Sequence, residues 1–238
     1  DIRELTAKRG RLERLPELLP GDPDAPILPD FDIRIDEFEL ENFKLAPGLA
    51  GEEAQRIDFA AKVDIRKGRA LVDAQGRFGP EDRIELLLDA RPDGDRFDLA
   101  LDYSAAQDGP IAKLAGLGAA YEARIEGDGG WSNWLGYALV KREDASGSGS
   151  RVAAFELTNS AGNFGALGKI SPDLAPNSTL GRTLAGGVAL AVAGTLEDSV
   201  FDGRMAAVSN TLDLRGTGAI DLAGNRPRDD RARGDVRA

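Results

Sequence analysis

The chain contains no cysteine and no histidine among its 238 residues. Those two absences exclude disulfides, Cys/His zinc sites and every mechanism that uses imidazole as a base. Aromatic residues amount to only 6%, so a core built on large rings is poorly supplied. No run approaches the ~20 apolar residues of a membrane-spanning helix; the nearest, Val188 to Leu196, is too short. Positive charge is also in deficit. A formal net charge of -11, with no basic stripe to track phosphates, argues against a nucleic-acid surface. The lack of cysteine leaves the compartment open, because an oxidising environment permits disulfides without requiring them. The chain opens at Asp1 with no signal-peptide pattern and is expected to be a piece of a longer protein, any membrane signals lying elsewhere in it.

What is present in quantity is alternation. From Ile57 to Arg66 the odd positions are apolar, among them Ile57, Phe59, Val63 and Ile65, and nearly every even one is polar. This is the two-residue period of a strand with one dry face. The pattern returns at Val72, Ala74 and Phe78, at Ile84, Leu86, Leu88 and Ala90, and at Phe97, Leu99, Leu101 and Tyr103. Between these segments stand Lys67-Gly68, Gly79-Pro80-Glu81-Asp82 and Pro92-Asp93-Gly94-Asp95, clusters that form hairpin turns rather than helical crossovers. An antiparallel meander is predicted.

On either side the pattern is less regular. Leu5, Leu12, Leu15, Leu18 and Leu19 are spaced as in a helix interrupted by Pro16, so 1–30 is predicted as a helix and loop segment. Phe31 to Leu45 alternates with a one-residue slip, from Ile33 and Ile35 to Phe38 and Leu40, then to Phe43 and Leu45. A slip turns the dry face to water unless a bulge absorbs it, and the break is placed at Asp36-Glu37. Ile111, Leu114 and Leu117 predict a short helix ending at Gly118, which closes a first unit, 31–118. In the remainder, 119–238, strands are predicted at Tyr121, Ala123 and Ile125, with Gly127 to Gly130 as a turn into a strand from Trp131 to Val140. Ala145 to Ser150 reads as a loop. Further strands are expected at Ala153 to Leu157, Phe164 to Ile170, Val188 with Leu190 and Val192, Phe201 to Val208, Leu212 with Leu214, and Ile220 with Leu222. A second short helix near 178–186 is capped by Asn177-Ser178 and closed by Gly186-Gly187. Residues from Arg226 onward are expected to be a truncated strand and a frayed terminus.

The fold class is therefore all-β. The dry face fits the core of a β-sandwich on its pattern alone, but few large rings are available to fill a gap of ~10 Å between stacked sheets. A transmembrane barrel also alternates, yet it needs aromatic girdles that Trp131 and Trp134 cannot supply. Acidic clusters at Asp22 with Asp24 and at Asp93 with Asp95 follow no complete calcium loop and read as solvated turns, so no metal or other cofactor is expected. No base and nucleophile pair stands out, and the chain is read as not an enzyme.

Four stretches carry a resemblance. The run Phe31-Asp32-Ile33-Arg34-Ile35-Asp36-Glu37-Phe38-Glu39-Leu40-Glu41-Asn42-Phe43-Lys44-Leu45, the segment Gly109-Pro110-Ile111-Ala112-Lys113-Leu114-Ala115-Gly116-Leu117 and the stretch Leu214 to Ala223 resemble the TamB family of diderm bacteria, as does the Gly-rich turn before Trp131. The resemblance implies a long antiparallel β-sheet curled into an open groove, the β-taco or repeating β-groove shape of AsmA-like proteins, with two or three short helices. It further implies a protein anchored in the inner membrane that crosses the periplasm, conducts phospholipid acyl chains towards the outer membrane and works with a TamA-like outer-membrane barrel. An older role implied for the family is help in assembling outer-membrane proteins, here by offering a sheet edge for β-augmentation. On this reading the groove is lined by Ile57, Phe59, Val63 and Ile65; by Val72 and Phe78; by Ile84, Leu86 and Leu88; by Phe97, Leu99, Leu101 and Tyr103; by Tyr121 and Ile125; and by Val188, Leu190 and Val192.

Overall fold

The computed structural model describes residues 1–12, 32–47, 54–79, 81–110, 112, 118–143, 149–175, 182, 186–197, 200–210, 212–221, 226–227 and 235–237. The strands, in chain order, are β1 (Leu5–Lys8), β2 (Arg11–Leu12), β3 (Ile33–Leu45), β4 (Gln55–Arg66), β5 (Arg69–Phe78), β6 (Asp82–Arg91), β7 (Arg96–Ala105) and β8 (Tyr121–Gly130). They continue as β9 (Asn133–Glu143), β10 (Gly149–Ser160), β11 (Asn163–Ile170), β12 (Val188–Glu197), β13 (Val200–Val208), β14 (Asp213–Asp221), β15 (Arg226–Pro227) and β16 (Asp235–Arg237). All of them belong to one 16-stranded sheet. From β3 to β14 every strand pairs with its sequence neighbour, and every one of those pairs is antiparallel. The sheet is long, curled and unclosed, an open β-groove, and no second sheet stands over its apolar face among the described residues.

The short turns suit the chain's twist. Lys67 and Gly68 both have positive φ (51° and 69°), as do Ala161 and Gly162 (49° and 86°). Two left-handed residues in a two-residue loop give the twist that matches right-handed strands. In β3 the ladder shifts register between Ile35 and Phe38, where the slip in alternation places a break, and again between Leu40 and Phe43. At the second shift Asn42 takes a φ of 56° and its backbone N–H donates to Asp58 Oδ1 at 2.8 Å, which replaces a lost ladder bond. The two bulges return each apolar residue of β3 to the same face.

Three expectations need correction. Residues 5–8 and 11–12 are strands lying parallel to β3, not a helix; an edge position lets a two- to four-residue strand form whatever its leucine spacing. Gly127 to Gly130 is not a turn but the end of β8, and the chain reverses at Trp131-Ser132. The tail contributes two short strands, β15 and β16, which both pair with β14. Of the two helices placed from sequence, Pro110, Ala112 and Arg182 are helical, Gly118 and Gly186 at their ends are not, and the other positions lie outside the described residues, as do Leu15, Leu18, Leu19 and Leu222.

The two rims of the curled sheet differ. Along one rim run tight hairpins. Along the other, two clusters of buried residues gather: Ala105, Ala119, Tyr121 and Val152 in one, Val188 and Ala207 in another, with Leu174 touching both. The Tyr121 hydroxyl donates to the Leu174 carbonyl, and a 3₁₀ turn at Pro172–Leu174, capped by the Ser171 side chain, positions that carbonyl. On the same rim Asp82 is 0% exposed. It accepts from the Tyr103 hydroxyl at 2.9 Å and from the Ala106 N–H at 2.8 Å, and burial together with this bond pushes the Tyr103 phenol well above its usual range. A Cβ at Gly109 would strike the Asp82 carboxylate, so glycine is needed for the loop after β7 to close over it. Removing the carboxylate strands two buried donors, each costly to leave unmade. Asp82→Ala is expected to lose roughly 2–4 kcal/mol of stability, measured as a fall in the urea midpoint.

Opposite, the hairpin rim is stitched by polar side chains. Asp95 accepts from the backbone N–H and the hydroxyl of Ser132, and Asn159, 3% exposed, donates to the Trp131 carbonyl at 3.0 Å and accepts from the Gly162 N–H at 3.0 Å. The Ser132 hydroxyl and N–H hold the Asp95 carboxyl below its ordinary range. The Asn42 N–H does the same for Asp58, the Arg66 guanidinium for Asp64, and the Arg69 guanidinium for Asp89. A carboxyl depressed in the fold adds stability above its unfolded pKa of about 3.9 and loses it as pH falls through the lower folded value. The urea midpoint is therefore expected to hold from pH 7 to about pH 5 and to drop below about pH 4. Asp95→Asn should flatten that drop.

Candidate functional groove

Register turns the alternation into continuous rows. One row runs Ile35, Val63, Val72, Leu88, Leu99, Gly127, Gly136, Leu157, Ala166, Val192, Met205, Gly216, each residue the cross-strand partner of the next. The adjacent row on the same face runs Phe38, Ala61, Ala74, Leu86, Leu101, Ile125, Ala138, Phe155, Gly168, Leu190, Ala207, Leu214. Neither row contains a polar side chain from β3 to β14. At ~4.8 Å between strands each crosses roughly 50 Å of sheet without a break. Most of these side chains are half-buried rather than sealed in, as expected for a curled face that no second sheet covers among the described residues.

Small residues keep this face low. Alanine or glycine occupies many positions of both rows, and several aromatic rings on this face lie over a neighbouring glycine. The Trp134 indole covers Gly127 and Gly136, the Phe155 ring covers Gly168, and the Phe201 ring covers Gly194 and Gly203; a Cβ at any of these glycines would come within 3 Å of the ring. These three rings therefore lie close along the sheet. This arrangement explains how abundant glycine and scarce aromatics serve one surface.

The outer face carries the charge, largely paired. Arg69 meets Asp89 at 2.7 Å, Arg96 meets Asp89 and Asp98 at 3.2 and 2.5 Å, and Arg124 meets Asp102 at 2.6 Å. Exposed pairs of this kind add little stability; they keep the back of the sheet wet. A cleft of about 440 Å³ opens along the first apolar row, lined among others by Ile35, Val63, Val72, Leu88, Leu99 and Gly127.

All the residues expected to line the groove share the apolar face, since their partners in the ladder place Ile57 opposite Phe78, Phe59 opposite Gly76, Ile65 opposite Ala70 and Ile84 opposite Tyr103. Two are corrected in their role. Tyr121 and Val188 are 5% and 3% exposed beneath the rim connections, so they hold the rim and offer no surface to a ligand. Tyr103 packs against the Tyr121 cluster with its hydroxyl committed to Asp82. Sequence reasoning missed Phe155, Leu157 and Ala166 as members of the rows, although the alternation of β10 and β11 contained them. It also missed the floor glycines, because a glycine carries no apolar signal.

Among the described residues no group of three or more acidic side chains is placed to hold a metal ion, and no helix is long and apolar enough to cross a membrane. No family model, no curated protein and no solved structure matches the chain.

Proposed function

We propose that the curled sheet is a hydrophobic conduit for phospholipid acyl chains, acting in the periplasm as part of an inner-membrane-anchored protein of a diderm bacterium. The observation that carries this reading is the pair of unbroken apolar rows across the whole face. Each methylene moved from a bilayer into water costs ~0.8 kcal/mol, which forbids free passage of a diacyl lipid. Along a uniformly apolar floor that cost is absent at every step, and lipid advances nearly level in free energy. Nothing in this role needs a chemical step, a metal or a cofactor. Direction and docking to a TamA-like barrel belong to the longer protein. The test is lipid content: protein purified from an envelope should carry phospholipid by native mass spectrometry and, once delipidated, should take up a fluorescent phospholipid. Protein that carries none and takes up none overturns the reading.

A chaperone-like scaffold is the second reading, favoured by one observation. Among the described residues, β15 and β16 pair only with the two ends of β14, and residues 216–219 between them have no partner strand on that side. A strand at the edge of a sheet can accept an incoming strand by β-augmentation. Crosslinks from Thr217 to unfolded outer-membrane strands, with none from Leu86 to lipid, would favour it over conduction.

A further inference from the structure

Where the groove meets the hairpin rim, aromatic rings gather. Phe97 stands edge-on to Trp131 at 5.4 Å and to Trp134 at 5.8 Å between ring centroids, and Trp131 stands edge-on to Phe164 at 6.4 Å. Trp134 is 8% exposed, and its indole nitrogen is buried with no acceptor among the described residues. The neighbouring polar groups are spent elsewhere: Asn159 on Trp131 and Gly162, Asp95 on Ser132. Gly127 and Gly136, beneath the indole, expose no side-chain acceptor either.

A buried indole N–H is normally satisfied. Here it is a donor left without a partner among the described residues, in an apolar wall on the face proposed to carry lipid. An acyl chain alone cannot satisfy it, and a headgroup would have to bury its charge to reach it. An ester carbonyl, which joins the apolar chain to the headgroup, has the matching chemistry: a neutral acceptor at the boundary between apolar and polar. Access requires one ring to yield, and Trp131, 38% exposed, is the outermost.

We propose that Trp134 donates its indole N–H to the ester carbonyl of an acyl lipid, making the aromatic cluster a site that distinguishes ester-linked from ether-linked lipids. This inference rests on the conduit reading and deepens it. The chain contains only two tryptophans, so its spectrum of indole N–H resonances has two signals, and Trp131→Phe assigns them. Delipidated protein is offered diacyl phosphatidylethanolamine or its dialkyl ether analogue of equal chain length. The expected result is several-fold greater retention of the ester lipid and a downfield move of the Trp134 indole signal with the ester lipid only. Trp134→Phe should bring ester retention down to the ether level. Equal retention of both lipids by the unmodified protein, with an unmoved indole signal, overturns the ester site and leaves the conduit standing. Retention of neither lipid overturns the conduit and the site with it. Because the resonance measurement uses the unmodified chain, it decides the matter even if Trp134→Phe does not fold.

Discussion

Leu86→Glu is expected to leave the sheet folded and to cut phospholipid uptake by tenfold or more, while Glu85→Lys leaves uptake near that of the unmodified protein. Leu86 sits in an unbroken apolar row between Ala74 on β5 and Leu101 on β7. Glu85 points to the other face, between Gln75 and Asp102, because side chains alternate across a strand. In the empty groove a glutamate at position 86 can be hydrated from the open side, so the fold survives. Under acyl chains it must give up that water or take up a proton, and either penalty is large beside the ~1.4 kcal/mol that separates a tenfold change in affinity. The measurement is paired: fluorescent lipid uptake for function and the urea midpoint for stability. Equal loss from both substitutions, or global unfolding by Leu86→Glu, would count against lipid at this position.

Gly127→Val is expected to cost more stability than any other single change in the groove floor, about 3 kcal/mol or more. A Cβ at Gly127 would overlap the Trp134 indole and lie 2.8 Å from the Cα of Gly136, its cross-strand partner. The indole has no easy retreat, since Phe97 packs against it and its own residue is almost wholly buried. Overpacking of this kind is relieved by removing the obstructed group. Adding Trp134→Leu to Gly127→Val should therefore recover most of the lost urea midpoint, and a double-mutant cycle should report strong coupling. Additive losses would show that the glycine serves the backbone and not the ring above it.

These two positions also mark how far the sequence could be followed. The strands β4 to β7 were legible because every second residue there is apolar and each turn contains glycine or a hairpin pair, so local pattern and global register agree. The bulge at residues 36–37 was legible for the same reason, as an interruption of an otherwise strict period. Gly127 to Gly130 misled because four residues rich in glycine signal a turn when read along the chain. Their reason lies across the ladder, in the indole of Trp134, and neighbours across a sheet are not neighbours in sequence. Leu5 and Leu12 misled in another way: a strand of two to four residues is too short for its period to compete with a helical spacing. Whether an apolar residue lines the groove or seals its rim depends on which connection folds over it. Nothing in Tyr121 or Val188 distinguishes them from Tyr103 or Leu190 until the chain after β11 is seen to return over β8 to β10 through Leu174.

The neighbour-to-neighbour pairing of β3 to β14 has a consequence for how such a protein changes length. Each interior strand is bonded only to the strands before and after it, so the molecule behaves as a chain of coupled links whose stability grows by a nearly fixed increment per link. Parity then governs what can be cut or inserted. Excising two successive strands, such as β5 with β6, rejoins strands that still run in opposite directions and still present their apolar residues to the same side. Excising one strand makes its former neighbours parallel, which a short turn cannot join. Growth and loss are thereby counted in hairpins, and a groove assembled this way can be fitted to the distance it must cross without redesigning its floor.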